Sequence, residues 1–280
     1  MITRAPNNPP AGEQPAASPR SSGTAHARRV KAVERAFALL GGPAHGPSEL
    51  AAASGLHVTV VYRILQSGLP TQYFVAMPGG RYRLGPGAAT IGMQAMMHTP
   101  GIETSHPILA LLSRNWDAMA QLWVISPYGH PRQVLADYVP GRYDLESLGL
   151  TASSLVAMAS SLRIGPTGRV MAAHLSAPIV DMVLARDVPA EAGAGVFTEH
   201  EFRASLEQIR VAGYDLGIDE IAGWGTVAAP VLWGDTLYGA ISVLKPTSLL
   251  TDIAAVAAQT KTAAAHLSLL VAGGRLPQAR

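Results

Sequence analysis

The sequence predicts an α+β protein of two domains, a small N-terminal winged helix-turn-helix followed by a larger domain of mixed strands and helices. Two short helical patterns separated by a glycine occur near residue 55, and a hairpin pattern follows them directly. Beyond residue 100, strand and helix patterns are interspersed. The length of 280 residues suits two domains of this kind.

The composition favours a folded protein without disulfides. Apolar residues make up 48% of the chain and charged residues 14%, which supports sizeable cores and argues against general disorder. The absence of cysteine excludes disulfide frameworks and thiolate metal sites, and a cytoplasmic location is the simplest interpretation. The first 29 residues lack an apolar signal region, and no run of about 18 apolar residues occurs. We therefore expect no membrane partner.

Charge is distributed unevenly along the chain. Residues 1–86 contain nine Lys/Arg and three acidic residues, a formal charge of +6, whereas the remainder carries −4. A basic small domain beside an acidic larger one is typical of nucleic-acid binding by the first. The alternative, that small domains drift in charge by a few units, is equally compatible with these counts.

The N-terminal patterns give the order of the first domain. Residues 1–29 are rich in Pro, Ala, Ser and Gly, which predicts a disordered tail. Helical spacing runs from Val30 to Leu40, and a short helix is expected from Pro47 to Ser54. Gly55 supplies the tight turn before a second helix, from about Val58 to Gln66.

A wing and a linker follow the second helix. Tyr73–Val75 and Arg81–Leu84 flank the turn residues Pro78–Gly80 and predict a hairpin. The Met-rich stretch Ala88–Met97 predicts a connecting helix. The predicted domains are the tail at 1–29, the winged helix-turn-helix at 30–86, a linker helix at 87–99, the larger domain at 100–272 and a flexible tail at 273–280.

The larger domain contains four helical and four strand patterns. A capping box at Thr198 and Glu201 begins a helix that ends at Ala212. The other predicted helices are Ile108–Met119, Ile179–Leu184 and Thr251–Val271. The predicted strands are Gln121–Ile125, Val134–Val139, Val227–Leu232 and Leu237–Leu244.

Both halves of the chain resemble the IclR family of bacterial transcription regulators. In the first half the resemblance rests on Gly46-Pro47, Ser48–Ala51, Gly55-Leu56, Tyr62–Leu65 and Gly80–Gly85. In the second half it rests on Ser161–Leu175, Phe202–Tyr214, Ala228–Val231 and Gly239–Val243. The two halves in this order and spacing are more specific than either alone, and the similarity covers roughly residues 30–270.

The resemblance implies a function as well as a fold. It implies a GAF-like effector domain, in which an antiparallel sheet is flanked by helices. It also implies a sequence-specific regulator that binds double-stranded operator DNA, with an affinity set by a small organic effector. We expect a homodimer or a dimer of dimers, no metal or cofactor, and no enzymatic activity. Candidate dimer surfaces are the apolar face of residues 30–41 and the linker helix at 88–97.

Candidate DNA contacts lie on the second helix and on the wing. His57, Thr59, Tyr62 and Arg63 have groups that reach base edges or phosphates, and Arg81 and Arg83 lie two residues apart on one face of a wing strand. Three alternatives stay open at this point. Thr59 would cap the helix, Arg63 would pair with Glu49, and the wing arginines would simply be solvated.

The candidate effector site follows mainly from the resemblance, which implies a pocket formed by Ile164, Gly165, Pro166, Asp219, Thr226 and Ser242. Gly165 would allow close approach of a ligand, and the hydroxyls of Thr226 and Ser242 would offer donors and acceptors. Alternatively, the two hydroxyls satisfy polar groups of the sheet or core. Trp123, Trp224 and Trp233 would line an apolar pocket or serve as ordinary packing. The Met-rich linker at Met93, Met96 and Met97 is a candidate for the element that changes when the effector binds, because methionine packs adaptably.

The chain departs from the family pattern at several positions. Gly68 and Pro70 are expected to shorten the second helix or its C-terminal turn. They are also the sequence support for the alternative function, an enzyme or small-molecule-binding protein whose DNA-binding domain is degenerate. Arg163 and Arg169 stand in the effector loop, where they would favour an acidic ligand or, as long cations, remain in solvent.

Overall fold

The computed structural model of the protein describes residues 32–33, 37, 44–99, 101–126, 130–142, 161–188 and 196–273. The described residues form two units, one that ends at Leu84 and one that begins at Gly85. The predicted tails at 1–29 and, apart from Gly273, at 273–280 lie outside the described residues. None of the helices in the described ranges is both long enough and apolar enough to cross a membrane.

The first unit contains the predicted helix-turn-helix. Helix α1 (Pro47–Ser54) is followed by Gly55 in a left-handed conformation (φ +69°), which turns the chain into helix α2 (Val58–Gly68). His57 caps α2, because its Nδ1 accepts a hydrogen bond from the Thr59 N–H at 3.3 Å. The idea that Thr59 is itself the cap is therefore wrong.

Helix α2 includes one of its two unusual C-terminal residues. The helix runs to Gly68, and Pro70 lies beyond it in the turn that leads to the wing. A Cβ at Gly68 would lie 2.4 Å from the Phe74 ring, which itself stacks on Phe37 with ring centroids 5.3 Å apart. Glycine is thus required by a close approach of the wing to the helix, and the helix ends two residues before Pro70.

The wing is an antiparallel hairpin. Strand β1 (Phe74–Met77) pairs with β2 (Arg81–Leu84). Gly79 and Gly80 have positive φ in the connecting turn. The buried Tyr82 also exchanges two backbone hydrogen bonds of 2.8 Å with His45, and its hydroxyl accepts from Gln66 Nε2 at 2.9 Å. These bonds fix the wing to both sides of the helix-turn-helix.

One hydrophobic core supports this unit. It is formed by Val33, Phe37, Leu50, Val61, Ile64, Leu65, Phe74 and Tyr82. Val33 and Phe37 belong to the predicted first helix, and both are helical and buried. The apolar face of residues 30–41 was expected to be a dimer surface. At Val33 and Phe37, this face instead packs into the core of its own unit.

The second unit is built around a five-stranded sheet in the order β4-β3-β7-β6-β5, in which all neighbours are antiparallel. Its strands are β3 (Met119–Ser126), β4 (Arg132–Val139), β5 (Asp215–Ile221), β6 (Trp224–Trp233) and β7 (Thr236–Pro246). Its helices are α3 (Pro86–Met97), α4 (Ile102–Trp116), α5 (Gly165–Ala173), α6 (Ala177–Leu184), α7 (Glu199–Ala212) and α8 (Ile253–Val271). The predicted α+β class with an antiparallel sheet is confirmed.

Two elements of this unit differ from the sequence prediction. Helix α4 begins at Ile102 rather than Ile108, and it includes Pro107 in its second turn. It ends at Trp116 because Asp117 adopts a left-handed conformation (φ +48°), so that Met119 is already in a strand. Strand β5 at the sheet edge was not predicted.

Helices cover both faces of the sheet. One face packs mainly against α4 and α8, through residues such as Leu109, Val243 and Leu267. The other face packs against α5, α6 and α7, through residues such as Met171, Val180 and Phe202. The predicted effector site belongs to this second face, because it includes the beginning of α5.

Candidate functional site

The first candidate site is the exposed face of α2. Val61, Ile64 and Leu65 are buried, and the intervening positions face outward. The exposed positions include two pairs of residues that lie one helical turn apart. These pairs are Val58 with Tyr62 and Thr59 with Arg63. His57 is exposed at the start of the same helix. The structure thus brings together all four helix residues that the sequence predicted, and adds Val58.

Arg63 does not pair with Glu49. Among the described residues it has no hydrogen bond or ion pair, and its side chain is exposed. Glu49 instead lies 3.6 Å from Arg81 Nη2 and 3.5 Å from His45 Nδ1, and its Oε2 accepts from the Gly46 N–H at 3.0 Å. That backbone hydrogen bond, helped by the charge of Arg81 and by the neighbouring His45 ring, holds the pKa of Glu49 below its ordinary value. Arg63 is therefore available to an external anion or base.

The wing presents its two arginines on one face. Arg81 and Arg83 are both exposed, whereas Tyr82 between them is buried. Their cross-strand partners are Met77 and Val75, so no carboxylate faces them across the hairpin. Arg81 is partly engaged by Glu49, and Arg83 has no ion pair among the described residues. Both guanidinium groups have the planar donors that suit phosphate or a groove edge.

The second candidate site lies at the beginning of α5. Ile164 precedes the helix in an extended conformation, and Gly165 begins it with φ +71°. Pro166 is buried against β5, since a Cβ on Gly217 would lie 2.8 Å from its Cγ. Gly217 is paired with Thr226 on β6. The structure therefore brings the helix start and Thr226 to one part of the sheet.

Ser242 and Asp219 have partners within the protein. Ser242 is fully buried and donates to Gln121 Oε1 at 3.0 Å, an oxygen that also accepts from Trp123 Nε1 at 3.3 Å. Asp219 lies in β5 with φ +56°, and its Oδ1 accepts from the Gly223 N–H at 3.1 Å and from Thr247 Oγ1 at 2.9 Å. Asp219 is exposed and stabilises the turn between β5 and β6, whereas Ser242 is buried.

The arginines of the effector loop are not in solvent. Arg169 is only 1% exposed, and its Nε donates to Asp215 at 2.6 Å while its two terminal nitrogens donate to Glu220 at 3.0 and 2.6 Å. Its guanidinium carbon also lies 4.5 Å from the centre of the Phe197 ring. Arg163 is half-buried and donates to the carbonyls of Arg186 and Phe197. The expectation of solvated side chains was wrong for both.

Burial and ion pairing act against each other in this cluster. Burial disfavours the charge of Arg169, but Glu220 and Asp215 outweigh that effect and raise the pKa of Arg169 above its ordinary value. Burial raises the pKa of the Asp215 carboxyl, and Arg169 opposes that shift. Arg169 is therefore a buried cation whose charge is already balanced by internal carboxylates.

The three tryptophans that were candidates for the lining of a pocket are packed against the cores. Trp123 and Trp224 are buried, and Trp233 is half-buried against the core beneath α8. An open cavity of about 510 Å³ lies between α8 and β6 on the same side of the sheet. It is lined by Gly213, Ala229, Pro230, Leu232, Gly234, Lys261, Ala264, Ala265, Ser268 and Leu269. None of the residues predicted for the effector site belongs to this cavity.

Comparisons with known proteins bear on the fold. No protein-family model matches the chain, and no curated protein matches it significantly in sequence. Solved structures match it over most of its length. An IclR-type transcriptional regulator from a Silicibacter species is 21% identical with a TM-score of 0.55, and the match covers 88% of this chain and 98% of that one.

Two further structures agree with the first. An IclR homologue from Microbacterium hydrocarbonoxydans, complexed with 4-hydroxybenzoate, is 16% identical with a TM-score of 0.53 and is matched over 89% of this chain and 100% of its own. The IclR of Thermotoga maritima is 15% identical with a TM-score of 0.54, and the match covers 89% and 99%. The chain therefore has the fold of the IclR-type transcriptional regulators, as its sequence resemblance implied.

Proposed function

We propose that the protein is a transcription regulator that binds operator DNA through its winged helix-turn-helix. The observation that carries this proposal is the exposed face of α2, where Arg63 has no partner among the described residues. The first turn of such a helix enters the major groove, and the wing reaches the flanking backbone. His57, Thr59, Tyr62 and Arg63 then contact bases or phosphates, and Arg81 and Arg83 contact the flank. The charge of +6 on residues 1–86 attracts the DNA.

A gel-shift titration with the full chain tests this proposal. The probe is the DNA upstream of the protein's own gene, and the matched control is a shuffled DNA of the same length and base composition. We expect a specific complex whose affinity falls as salt rises, because phosphate contacts release counterions. Equal affinity for the two DNAs at every salt concentration would contradict sequence-specific binding.

We also propose that a small organic effector binds the second unit and changes operator affinity. The proposed pocket lies at the start of α5 and is formed by Ile164, Gly165, Pro166, Thr226 and Ser242, with Asp219 at its edge. The contact of Pro166 with Gly217, which is paired with Thr226, supports this grouping. Coupling arises because effector and DNA each favour one of two conformations.

A thermal-shift screen followed by gel-shift tests the effector proposal. The first probe is 4-hydroxybenzoate, the compound bound to one of the similar structures, and a panel of neutral and acidic metabolites follows. We expect Thr226→Val to weaken binding of a hit, whereas Thr262→Val on the exposed face of α8 leaves it unchanged. If Thr226→Val and Ser242→Ala both leave the affinity unchanged, the pocket lies elsewhere. If no compound changes DNA binding, the sensing role is contradicted.

We further propose a homo-oligomer, either a dimer or a tetramer. One recognition helix reads only a few base pairs, so specific affinity calls for paired half-sites. Helix α3 is the proposed contact, because Ile91, Met93, Met96 and Met97 are all at least half exposed. Sedimentation at micromolar concentration checks this, and a monomer would contradict it.

The alternative of an enzyme or binding protein with a degenerate DNA-binding domain is less well supported than a DNA-binding regulator. It depended on Gly68 and Pro70, which were expected to impair α2. The helix instead extends through Gly68, and the glycine accommodates Phe74. Nothing else in the described residues favours this alternative over a DNA-binding regulator.

A further inference from the structure

Val58 is an exposed aliphatic side chain on the face of α2 that we propose contacts DNA. It is the first residue of the helix, and 39% of its surface is exposed. Tyr62, one turn later, is 48% exposed and continues the same apolar strip. Val60 packs against the core of the unit, and Val61 is fully buried. The fold therefore uses the next two valines for packing and presents the first one to its surroundings.

Local stability does not account for a valine at this position. A β-branched residue has only modest helix propensity, and an acidic residue in the first turn would interact better with the helix dipole. Leaving the side chain exposed also forgoes the free energy that its burial would contribute. An apolar group at the beginning of α2 is therefore free to contact an apolar part of a DNA base.

The neighbouring His57 narrows what that surface is. Its Nδ1 accepts the Thr59 N–H, so in the neutral ring the proton is on Nε2, which can donate outward. The start of α2 thus offers one hydrogen-bond donor beside one apolar group. In the major groove, thymine presents an acceptor, O4, beside a methyl group at C5, and no other base combines these two features.

We propose that Val58 is a specificity-determining residue that contacts the methyl group of a thymine in each half-site, while His57 Nε2 donates to O4. This inference rests on the proposed DNA-binding function. The inference differs from the proposed function because DNA binding through Arg63 and the wing would persist without a thymine contact. The exposed strip is therefore covered by the edge of a base, and the preference for thymine is confined to one position of the half-site.

Base analogues test this inference atom by atom. An operator is first selected from a random DNA library with the full chain, and each thymine is then replaced singly by deoxyuridine, which lacks only the methyl group. At one position per half-site we expect affinity to fall about fourfold, which is what burial of one methyl group is worth. Val58→Ala should bind the thymine operator more weakly and should show no further loss with deoxyuridine at that position.

A second substitution separates the roles of the two side chains. 5-Methylcytosine opposite guanine keeps the methyl group but replaces the acceptor O4 with a donor. We expect it to weaken binding by the wild type and by Val58→Ala alike, and to have less effect on His57→Ala. Leu84→Ala, which removes an equally apolar and 48% exposed side chain from the wing, is the matched control and should keep the full deoxyuridine penalty.

The outcomes are distinguishable. If Val58→Ala retains the deoxyuridine penalty at every thymine, or if the wild type has none, the methyl contact is overturned while DNA binding stands. If the library yields no bound sequence, the proposed function fails and the inference fails with it. Thermal melting of Val58→Ala should be close to that of the wild type, because the lost contacts of a partly exposed valine are offset by the better helix propensity of alanine, so a loss of binding is not a loss of folding.

Discussion

Two arginines, one in each unit, have opposite environments. Arg63 projects from the exposed face of α2 without a partner among the described residues, whereas Arg169 is 1% exposed and is bound by two carboxylates and an aromatic ring. The first is available to an external anion or base, and the second joins α5 to β5. Residue type alone does not distinguish them, because the partners that decide the role of Arg169 come from elsewhere in the chain.

The difference is also energetic. An exposed guanidinium is solvated in the absence of DNA, so its removal costs the isolated protein little. A buried guanidinium has lost its water, and its favourable energy comes entirely from Asp215, Glu220 and Phe197. Variants of the two residues should therefore separate cleanly, with Arg169 affecting folding and Arg63 affecting binding.

The largest effect is expected for Arg169→Met. Removing the cation leaves Asp215 and Glu220 without their partner at a buried site, and the free energy of unfolding should fall by about 3–5 kcal/mol. Urea denaturation of the full chain measures this. The matched control is the triple variant with Asp215→Asn and Glu220→Gln, which removes the stranded charges and should recover part of the loss. An equal loss in both variants would mean that packing, rather than charge, holds this cluster together.

A smaller loss of stability is expected for Gly68→Val. The new side chain would overlap the Phe74 ring, which is held by its contacts with Phe37 and Tyr73, and overpacking of this kind costs roughly 1–3 kcal/mol. The control is Gly92→Ala in α3, where an added Cβ meets nothing and should stabilise by about 0.5–1 kcal/mol. If both substitutions stabilise the protein, the close approach of the wing does not constrain Gly68.

These two positions show what the sequence could and could not predict. Local patterns of apolar, helix-start and turn residues predicted α1, α2, the wing and most of the sheet. The reason for Gly68 is a contact with Phe74, and the partners of Arg169 lie 46 and 51 residues away. Strand β5 was missed because it is an edge strand with an irregular register, a glycine and acidic residues.

The candidate sites also contain some features that local sequence patterns predict and others that depend on tertiary contacts. The exposed residues of α2 and the wing could be predicted because helix and strand periods assign them to one face. The pairing of Glu49 with Arg81, rather than with Arg63 as one alternative had it, could not be predicted, since it depends on where the wing folds back beside α1. In the second unit, the burial of Ser242 and the hairpin role of Asp219 are tertiary features that no local pattern records.

Arg63→Ala should leave stability nearly unchanged and weaken operator binding. If the side chain reads a base, the loss is about 1–3 kcal/mol and sequence preference relaxes. If it binds only phosphate, all sequences lose affinity and the salt slope decreases by about one unit. The control is Arg142→Ala, which removes the same charge from an exposed position of the second unit. Unchanged binding at every salt concentration would remove Arg63 from the interface.

The smallest effect is expected for Glu49→Gln, which tests whether the wing arginines are held back by their own domain. Glu49 lies 3.6 Å from Arg81 and places a negative charge beside the proposed DNA surface. Glutamine keeps an acceptor for the Gly46 N–H, so the start of α1 should be preserved. Arg81 would be released to phosphate, and we expect DNA affinity to rise a few-fold with a salt slope steeper by up to about one unit. The low pKa of Glu49 means that mild acidification does not mimic the substitution.

In an Arg81→Ala background most of the gain should vanish, whereas in an Arg83→Ala background it should persist, because no contact of Arg83 with Glu49 is found among the described residues. The same gain in both backgrounds would indicate general charge repulsion rather than competition for Arg81.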